Sequence, residues 1–168
     1  MEKIKIIDDF FPNDILIEIK NFIKNADWQN QNNERIFSNY GDKPFYETDL
    51  NNNFFFSNCL LKIIEEKLNR KISLERVNLY GQNCYQYNVF HIDNYYENKM
   101  TFCYYINTEN AEFGHLYIKL PNEKKIISIE PVTNRGVFFP ATYIHRGSSY
   151  ETNDVRTCVA WKLILLDE

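Results

Sequence analysis

Phe90-His91-Ile92-Asp93-Asn94 puts an imidazole and a carboxylate two residues apart at the end of an apolar run. Side chains on a strand repeat every second residue, so this spacing predicts that His91 and Asp93 project to one side. Together they offer two ligands to one metal ion. A third candidate, His145, comes 52 positions after Asp93 in Tyr143-Ile144-His145-Arg146. Two His and one carboxylate on one face of an octahedral ion leave positions open, the usual protein arrangement for non-haem Fe(II). His-X-Asp alone is a short motif that arises by chance, so its weight rests on the residues downstream of it and on their order.

Outward from this stretch, the chain after Ser73 is a succession of short β-type runs. They are Leu74–Tyr80, Asn83–His91, Met100–Asn107, His115–Leu120, Lys125–Glu130, Gly136–Phe139 and Val155–Leu166. Turn-forming residues separate them, among them Pro121-Asn122, Thr133-Asn134-Arg135-Gly136 and Gly147-Ser148-Ser149. Strand after strand at this spacing predicts a barrel or jelly roll.

The N-terminal part reads differently. Ile4-Lys5-Ile6-Ile7 is a short β-rich segment, and Pro12 suits a helix start. Leu16, Ile19, Phe22 and Ile23 recur at helical spacing, predicting a helix from about Asn13 to Lys24. A second helix is expected over Phe55 to Lys71, with Cys59, Leu60, Ile63, Ile64 and Leu68 on its apolar side. Between them, Ala26 to Asn53 is polar and Asn-rich, with scattered aromatics and no clear period. A loop of this length in a compact domain is usually functional or mobile, so it is read as a substrate lid bordering the site together with Tyr95 and Tyr96, the alternative being a surface insertion held by its aromatics. The expectation is one domain over 1–168, mainly β with N-terminal helices: helical support over about 1–72 and a β core over about 73–166.

Composition narrows the function. Of 168 residues, 44% are hydrophobic and 16% aromatic, enough for a substantial core. The formal charge is −4 and the isoelectric point near 5.5, which argues against binding a nucleic-acid backbone. The four cysteines are widely spaced without a Cys-X-X-Cys pair, and are read as buried thiols of a reducing compartment. The N-terminus is too short and charged for a signal peptide, and no apolar run reaches a membrane span, so the expected location is cytoplasmic.

The last strand carries the second chemical signal. Arg156 stands 11 positions after His145 and, on a strand, shares a face with Cys158 and Ala160. A buried guanidinium needs an anionic partner, and its planar fork suits a carboxylate. That partner is either a ligand or a neighbour such as Asp154 or Glu151. A cage that only holds metal has no use for Arg156.

The whole order is His-X-Asp, the Tyr-rich Thr101–Asn107 strand, Gly114-His115-Leu116, then Pro131 with Gly136-Val137-Phe138-Phe139, the distal His145 and finally Arg156. It resembles the iron(II)/2-oxoglutarate-dependent oxygenases, most closely their prolyl 4-hydroxylase-like branch, over roughly Val77 to Trp161. The resemblance implies a double-stranded β-helix (a distorted jelly roll), with His91, Asp93 and His145 as iron ligands. It implies that Arg156 and Tyr105 bind the distal carboxylate of 2-oxoglutarate. A further cosubstrate residue precedes His91, with Tyr85 favoured over Tyr87 and Gln82. The cofactors implied are Fe(II), 2-oxoglutarate and O₂, with ascorbate to sustain turnover. The implied reaction is hydroxylation of a peptidyl side chain such as proline, or of a free amino acid or other small molecule. The competing reading is a cupin-like jelly roll that binds metal or sugar without turnover. Phe113-Gly114-His115-Leu116 departs from the family's double glycine, and His115 is read as a surface strand residue. The nucleobase-demethylating branch carries a second Arg beyond the first; here Trp161-Lys162-Leu163 comes next, which lowers a nucleic-acid role further.

Overall fold

A computed structural model describes residues 4–30, 45–84, 86, 88–108, 113–121 and 123–166. Its elements, in chain order, begin with β1 (Lys5–Ile7), α1 (Asn13–Lys24), β2 (Gln29–Asn30) and β3 (Tyr46–Asp49). A π-helical turn (Phe55–Cys59) leads into α2 (Leu60–Leu68), followed by β4 (Ile72–Gln82) and β5 (Lys99–Tyr105). The remainder is β6 (Leu116–Lys119), β7 (Ile126–Ile129), β8 (Gly136–Pro140), β9 (His145–Gly147) and β10 (Arg156–Leu165). The strands form a seven-stranded sheet in the order β1-β8-β5-β10-β4-β3-β2 and a three-stranded sheet in the order β7-β6-β9. All pairings are antiparallel. Two antiparallel sheets facing each other, with few helices, make a double-stranded β-helix.

The apolar pattern explains the layers. Strand β10 runs through the middle of the large sheet, so both its faces are covered. Val159, Trp161, Leu163 and Leu165 join the cluster that packs under the helices with Phe10, Phe11, Ile19, Phe56, Leu60 and Ile64. Cys158 and Ala160 face the other way, into the cluster between the sheets with Leu116, Ile118, Ile129, Val137 and Phe139. Helix α1 contributes its buried stripe through Ile19, with Asp14 in the first turn and Lys24 in the last, each sign matching the helix dipole.

Several expected boundaries move. The second helix begins as a π turn and ends at Leu68, three residues before the expected end, where the left-handed backbone of Asn69 (φ 54°) caps it. Cys59, expected on its buried side, is exposed, and Cys84 is half-buried; only Cys103 and Cys158 are buried. Among the described residues of the strand expected over Asn83–His91, only an isolated bridge at His91 is found. β4 instead runs on to Gln82, and Asn83 turns the chain by accepting a bond from the Gln86 amide (3.2 Å) and donating to the Gln86 side chain (2.7 Å). Polar residues here satisfy the backbone locally, where a strand would need a ladder partner. The Ala26–Asn53 segment is not all loop: its described ends form β2 and β3, which extend the large sheet beyond β4. Its centre, 31–44, lies outside the described residues.

Candidate metal and carboxylate site

Backbone bonds, not a continuous strand, bring the three proposed ligands together. His91 and His145 form an isolated antiparallel bridge, with His91 N to His145 O at 3.0 Å and His145 N to His91 O at 2.8 Å. Asp93 comes next, its amide donating to Ala141 O at 3.0 Å. Phe90 is held between the Lys119 ammonium (4.1 Å) and the Arg146 guanidinium (4.6 Å). His91, Asp93 and His145 each offer a ligand atom, all within 4.8 Å of one another. His91 Nε2 lies 3.7 Å from Asp93 Oδ1, and His145 Nε2 3.3 Å from Asp93 Oδ2. Neighbouring ligands of one ion at ~2.1 Å bonds stand roughly 3 Å apart, so small side-chain movements suffice.

The donor set fits a divalent metal in its chemistry as well. The Nδ1 atom of His91 lies 2.9 Å from Val89 O, and that of His145 2.9 Å from Tyr143 O. A carbonyl only accepts, so each Nδ1 is the donor and each Nε2 is the ring atom left to face Asp93. This is the usual way a metal-binding imidazole is oriented. Burial pushes the His145 imidazolium down to about 4, against the opposing pull of Asp93, so at neutral pH the ring is in its ligand form. Burial alone would raise the Asp93 carboxyl. The Lys162 ammonium, His145 and the hydrogen bonds from Lys162 and Thr101 outweigh it and hold the group well below the ordinary carboxylate range.

A cavity of about 200 Å³ runs from this triad to Arg156. Its lining includes His91, Asp93, His145, Tyr105, Gln82, Arg156, Cys158, Ala160 and Lys162. A wider hollow of about 520 Å³ at the start of α1, lined by residues such as Asp9, Leu16 and Lys67, contains no such cluster. Arg156 is only 5% exposed. It donates from Nε to Gly114 O at 2.8 Å and from Nη1 to Gln82 Oε1 at 2.7 Å, and its Nη2 lies 3.5 Å from the Tyr105 hydroxyl. Neither Asp154 nor Glu151 pairs with it, and among the described residues no carboxylate does. A buried guanidinium whose described protein partners are all neutral is an uncompensated charge, which is costly. Gly147 presses against it: a Cβ there would lie 3.3 Å from both terminal nitrogens.

Tyr105, wholly buried, lies beside Arg156. Tyr85 and Tyr87 lie outside the described residues. Of the three candidates for the position before His91, Gln82 is the one seen against Arg156. His115 lies outside the cavity lining, half-buried, its ring 6.1 Å from that of Tyr117. Tyr95 and Tyr96 are exposed and are not among the residues that line the cavity, whereas Phe45, within the expected lid segment, does line it. Lys162 is the residue sequence reasoning passed over. Buried, it reaches Asp93 Oδ2 and lies 3.3 Å from Thr101 Oγ1. The signal was present: Arg156, Cys158, Ala160 and Lys162 are every second residue of one strand, and share its inward face.

No family model matches the chain, and no curated protein does. Solved structures do match. A prolyl hydroxylase from Trichoplax adhaerens, in complex with a hypoxia inducible factor oxygen degradation domain peptide fragment, superposes with TM-score 0.69 at 18% identity. That match covers 96% of this chain and 83% of the other. A 2OG-Fe(II) oxygenase family oxidoreductase from Burkholderia pseudomallei gives TM-score 0.74 at 9% identity, covering 96% and 85%. The viral collagen prolyl hydroxylase of Paramecium Bursaria Chlorella virus-1, in its 2OG complex, gives 0.63 at 15%, covering 96% of both chains. The structural neighbours are 2-oxoglutarate/iron(II) oxygenases, several of them prolyl hydroxylases. At these identities the likeness is one of fold. No helix among the described residues is long and apolar enough to cross a membrane.

Proposed function

We propose that this chain is an iron(II)- and 2-oxoglutarate-dependent dioxygenase that hydroxylates a C–H bond of an amino-acid-like substrate, peptidyl or free. The observation that carries the proposal is Arg156, a sealed guanidinium without a carboxylate partner, in the same cavity as the His91, Asp93 and His145 donors. A metal-binding jelly roll without turnover leaves that arginine unexplained. The peptidyl option draws on the likeness to the Trichoplax enzyme, which is bound to a peptide fragment.

Iron(II) with 2-oxoglutarate supplies the oxidising chemistry: O₂ and the oxoacid are converted to succinate, CO₂ and one oxygen atom for the substrate. The chain's own residues do the rest. His91 and His145 present Nε2 lone pairs, fixed by their Nδ1 bonds to backbone carbonyls. Asp93 supplies the anionic ligand, steadied by Thr101 at 2.5 Å. Arg156 offers its planar fork to the far carboxylate of the oxoacid, with the Tyr105 hydroxyl beside it. Gln82 and Gly114 hold the guanidinium in place without neutralising it. Leu116, Cys103, Cys158 and Ala160 wall the space between and exclude water.

The test is a 2-oxoglutarate titration of the metal-loaded protein, alongside an assay for succinate with iron(II), ascorbate and a panel of peptides and amino acids. Charge-assisted bonds to a carboxylate contribute about 1.5–3 kcal/mol each, so Arg156→Gln should weaken 2-oxoglutarate binding at least tenfold. Arg156→Lys should keep part of it, since charge survives but the fork does not. Metal affinity should be unchanged in both. Equal 2-oxoglutarate affinity in wild type and Arg156→Gln would make Arg156 a purely structural residue and remove the ground for the oxygenase reading.

A further inference from the structure

The cavity is cationic in an acidic protein. The whole chain carries a formal charge of −4. Yet among the described lining residues there are three permanent cations, Arg76, Arg156 and Lys162, against one carboxylate, Asp93. Arg156 occupies the sealed end. Arg76 and Lys162 stand at the other, directly opposite each other in the β4–β10 register. Like charges directly opposed on neighbouring strands repel, and such a pair is tolerated where an anion lies between or beside them. Lys162 has Asp93 for this purpose. Arg76 is exposed, and no carboxylate among the described residues lies within ion-pair distance of it.

We infer that Arg76 and Lys162 form the subsite for a carboxylate of the primary substrate, making that substrate a small carboxylic acid, a free amino acid or close analogue, not an internal peptide residue. The inference rests on the oxygenase reading, for this reason. With a divalent ion on the triad, the charge of Asp93 is shared between that ion and Lys162. The two carboxylates of 2-oxoglutarate are then offset by the ion and by Arg156. Lys162, buried beside the triad, and Arg76, exposed and opposite it in register, remain with a positive field that a further anion would neutralise. Size points the same way: about 200 Å³ is below the roughly 300–1,000 Å³ of sites for drug-sized ligands, so cosubstrate and a small acid fill it. The role of Arg76 is specificity-determining: it selects substrates by charge at the rim.

The experiment uses full-length protein loaded with Mn(II) and saturated with 2-oxoglutarate without O₂. Calorimetric titrations compare the free L-amino acids with the corresponding amino-acid amides, which keep the side chain and the ammonium group and lose only the carboxylate charge. At least one acid should bind tenfold or more tightly than its amide. Arg76→Gln should abolish that preference, and Arg76→Glu should invert it, while metal and 2-oxoglutarate affinities stay at wild-type values. Arg76 is exposed, so these variants keep the core intact; Arg76→Lys, which keeps the charge at the same position, should retain part of the preference. Equal binding of acid and amide, failure of every acid to bind, or an acid preference that survives Arg76→Gln would each overturn the inference. So would a loss of 2-oxoglutarate affinity in Arg76→Gln as large as in Arg156→Gln, which would assign the cationic pair to the cosubstrate. The oxygenase reading has its own arm: it fails if 2-oxoglutarate does not bind the metal-loaded wild type, and stands if it does, whatever the acids do.

Discussion

At the scale of single residues, the centre of this site is a buried charge pair as much as a ligand set. Asp93 and Lys162 have side chains 7% and 11% exposed, and they are joined directly. Removing one partner of such a pair leaves the other charged in a poor solvent, which costs about 3–5 kcal/mol, whereas replacing both by neutral groups is often harmless. Asp93→Asn should therefore lose metal binding and also destabilise the metal-free protein by that amount in urea denaturation. Asp93→Asn combined with Lys162→Met should recover most of the stability and none of the metal binding. If the single variant is as stable as wild type without metal, the pair is not energetically coupled. The ligands were legible in the sequence because their types and order carry chemistry. Lys162 was not, although the alternation that puts Arg156, Cys158 and Ala160 on one face extends to it. By resemblance it marks only the place where a second arginine is missing; its contact with Asp93 depends on a fold that carries Asp93 across the sheet, which no local pattern reveals.

At the scale of elements, the legible strands are those whose pattern decides their own burial. Leu74–Tyr80 and Val155–Leu166 carry enough apolar residues to be strands in any context, and they form β4 and β10. Asn83–His91 could not be read this way, because its fate depends on β9, a three-residue strand distant in sequence. β2 and β3 were hidden for a like reason, since they exist by pairing with each other and with the free edge of β4. The first strand shows how a long-range clamp works. Asp8, just after β1, receives two bonds from Arg135, just before β8, at 2.5 and 3.0 Å. The hydrogen bond from Arg135 holds the Asp8 carboxyl below its ordinary value of 3.8. A depressed carboxylate contributes stability that is full above 3.8 and disappears as pH falls through its lower folded-state value. Asp8 is largely solvent-exposed, so screening keeps the contribution below ~1 kcal/mol. Asp8→Asn should thus lower the stability slightly at neutral pH, with the difference from wild type vanishing in strong acid. A gap that widens on acidification would mean the carboxylate is not the group at work.

At the scale of the whole molecule, the site ties the two sheets together. β9 of the small sheet carries His145, while Thr101 and Lys162, on adjacent strands of the large sheet, hold Asp93 in the segment between β4 and β5. An ion bound to His91, Asp93 and His145 therefore links the 91–93 segment to β9, which are far apart in the unfolded chain. Ligands that bind only the native state stabilise it by mass action, about 2.7 kcal/mol at a free concentration 100 times Kd. For a protein of this length each kcal/mol raises Tm by roughly 2–4 °C, so saturating Mn(II) or Co(II) should raise it by roughly 5–11 °C. A chelator should reverse the rise. His91→Ala removes one ligand from a half-buried position, and should fold normally while losing most of the shift. Arg156→Gln should retain the full shift from metal but lose the additional one produced by 2-oxoglutarate. Differential scanning calorimetry of the three proteins, with and without each ligand, separates these effects. A metal-induced rise of equal size in His91→Ala would mean that the ion binds elsewhere, and the triad would lose its role as the joint between the sheets.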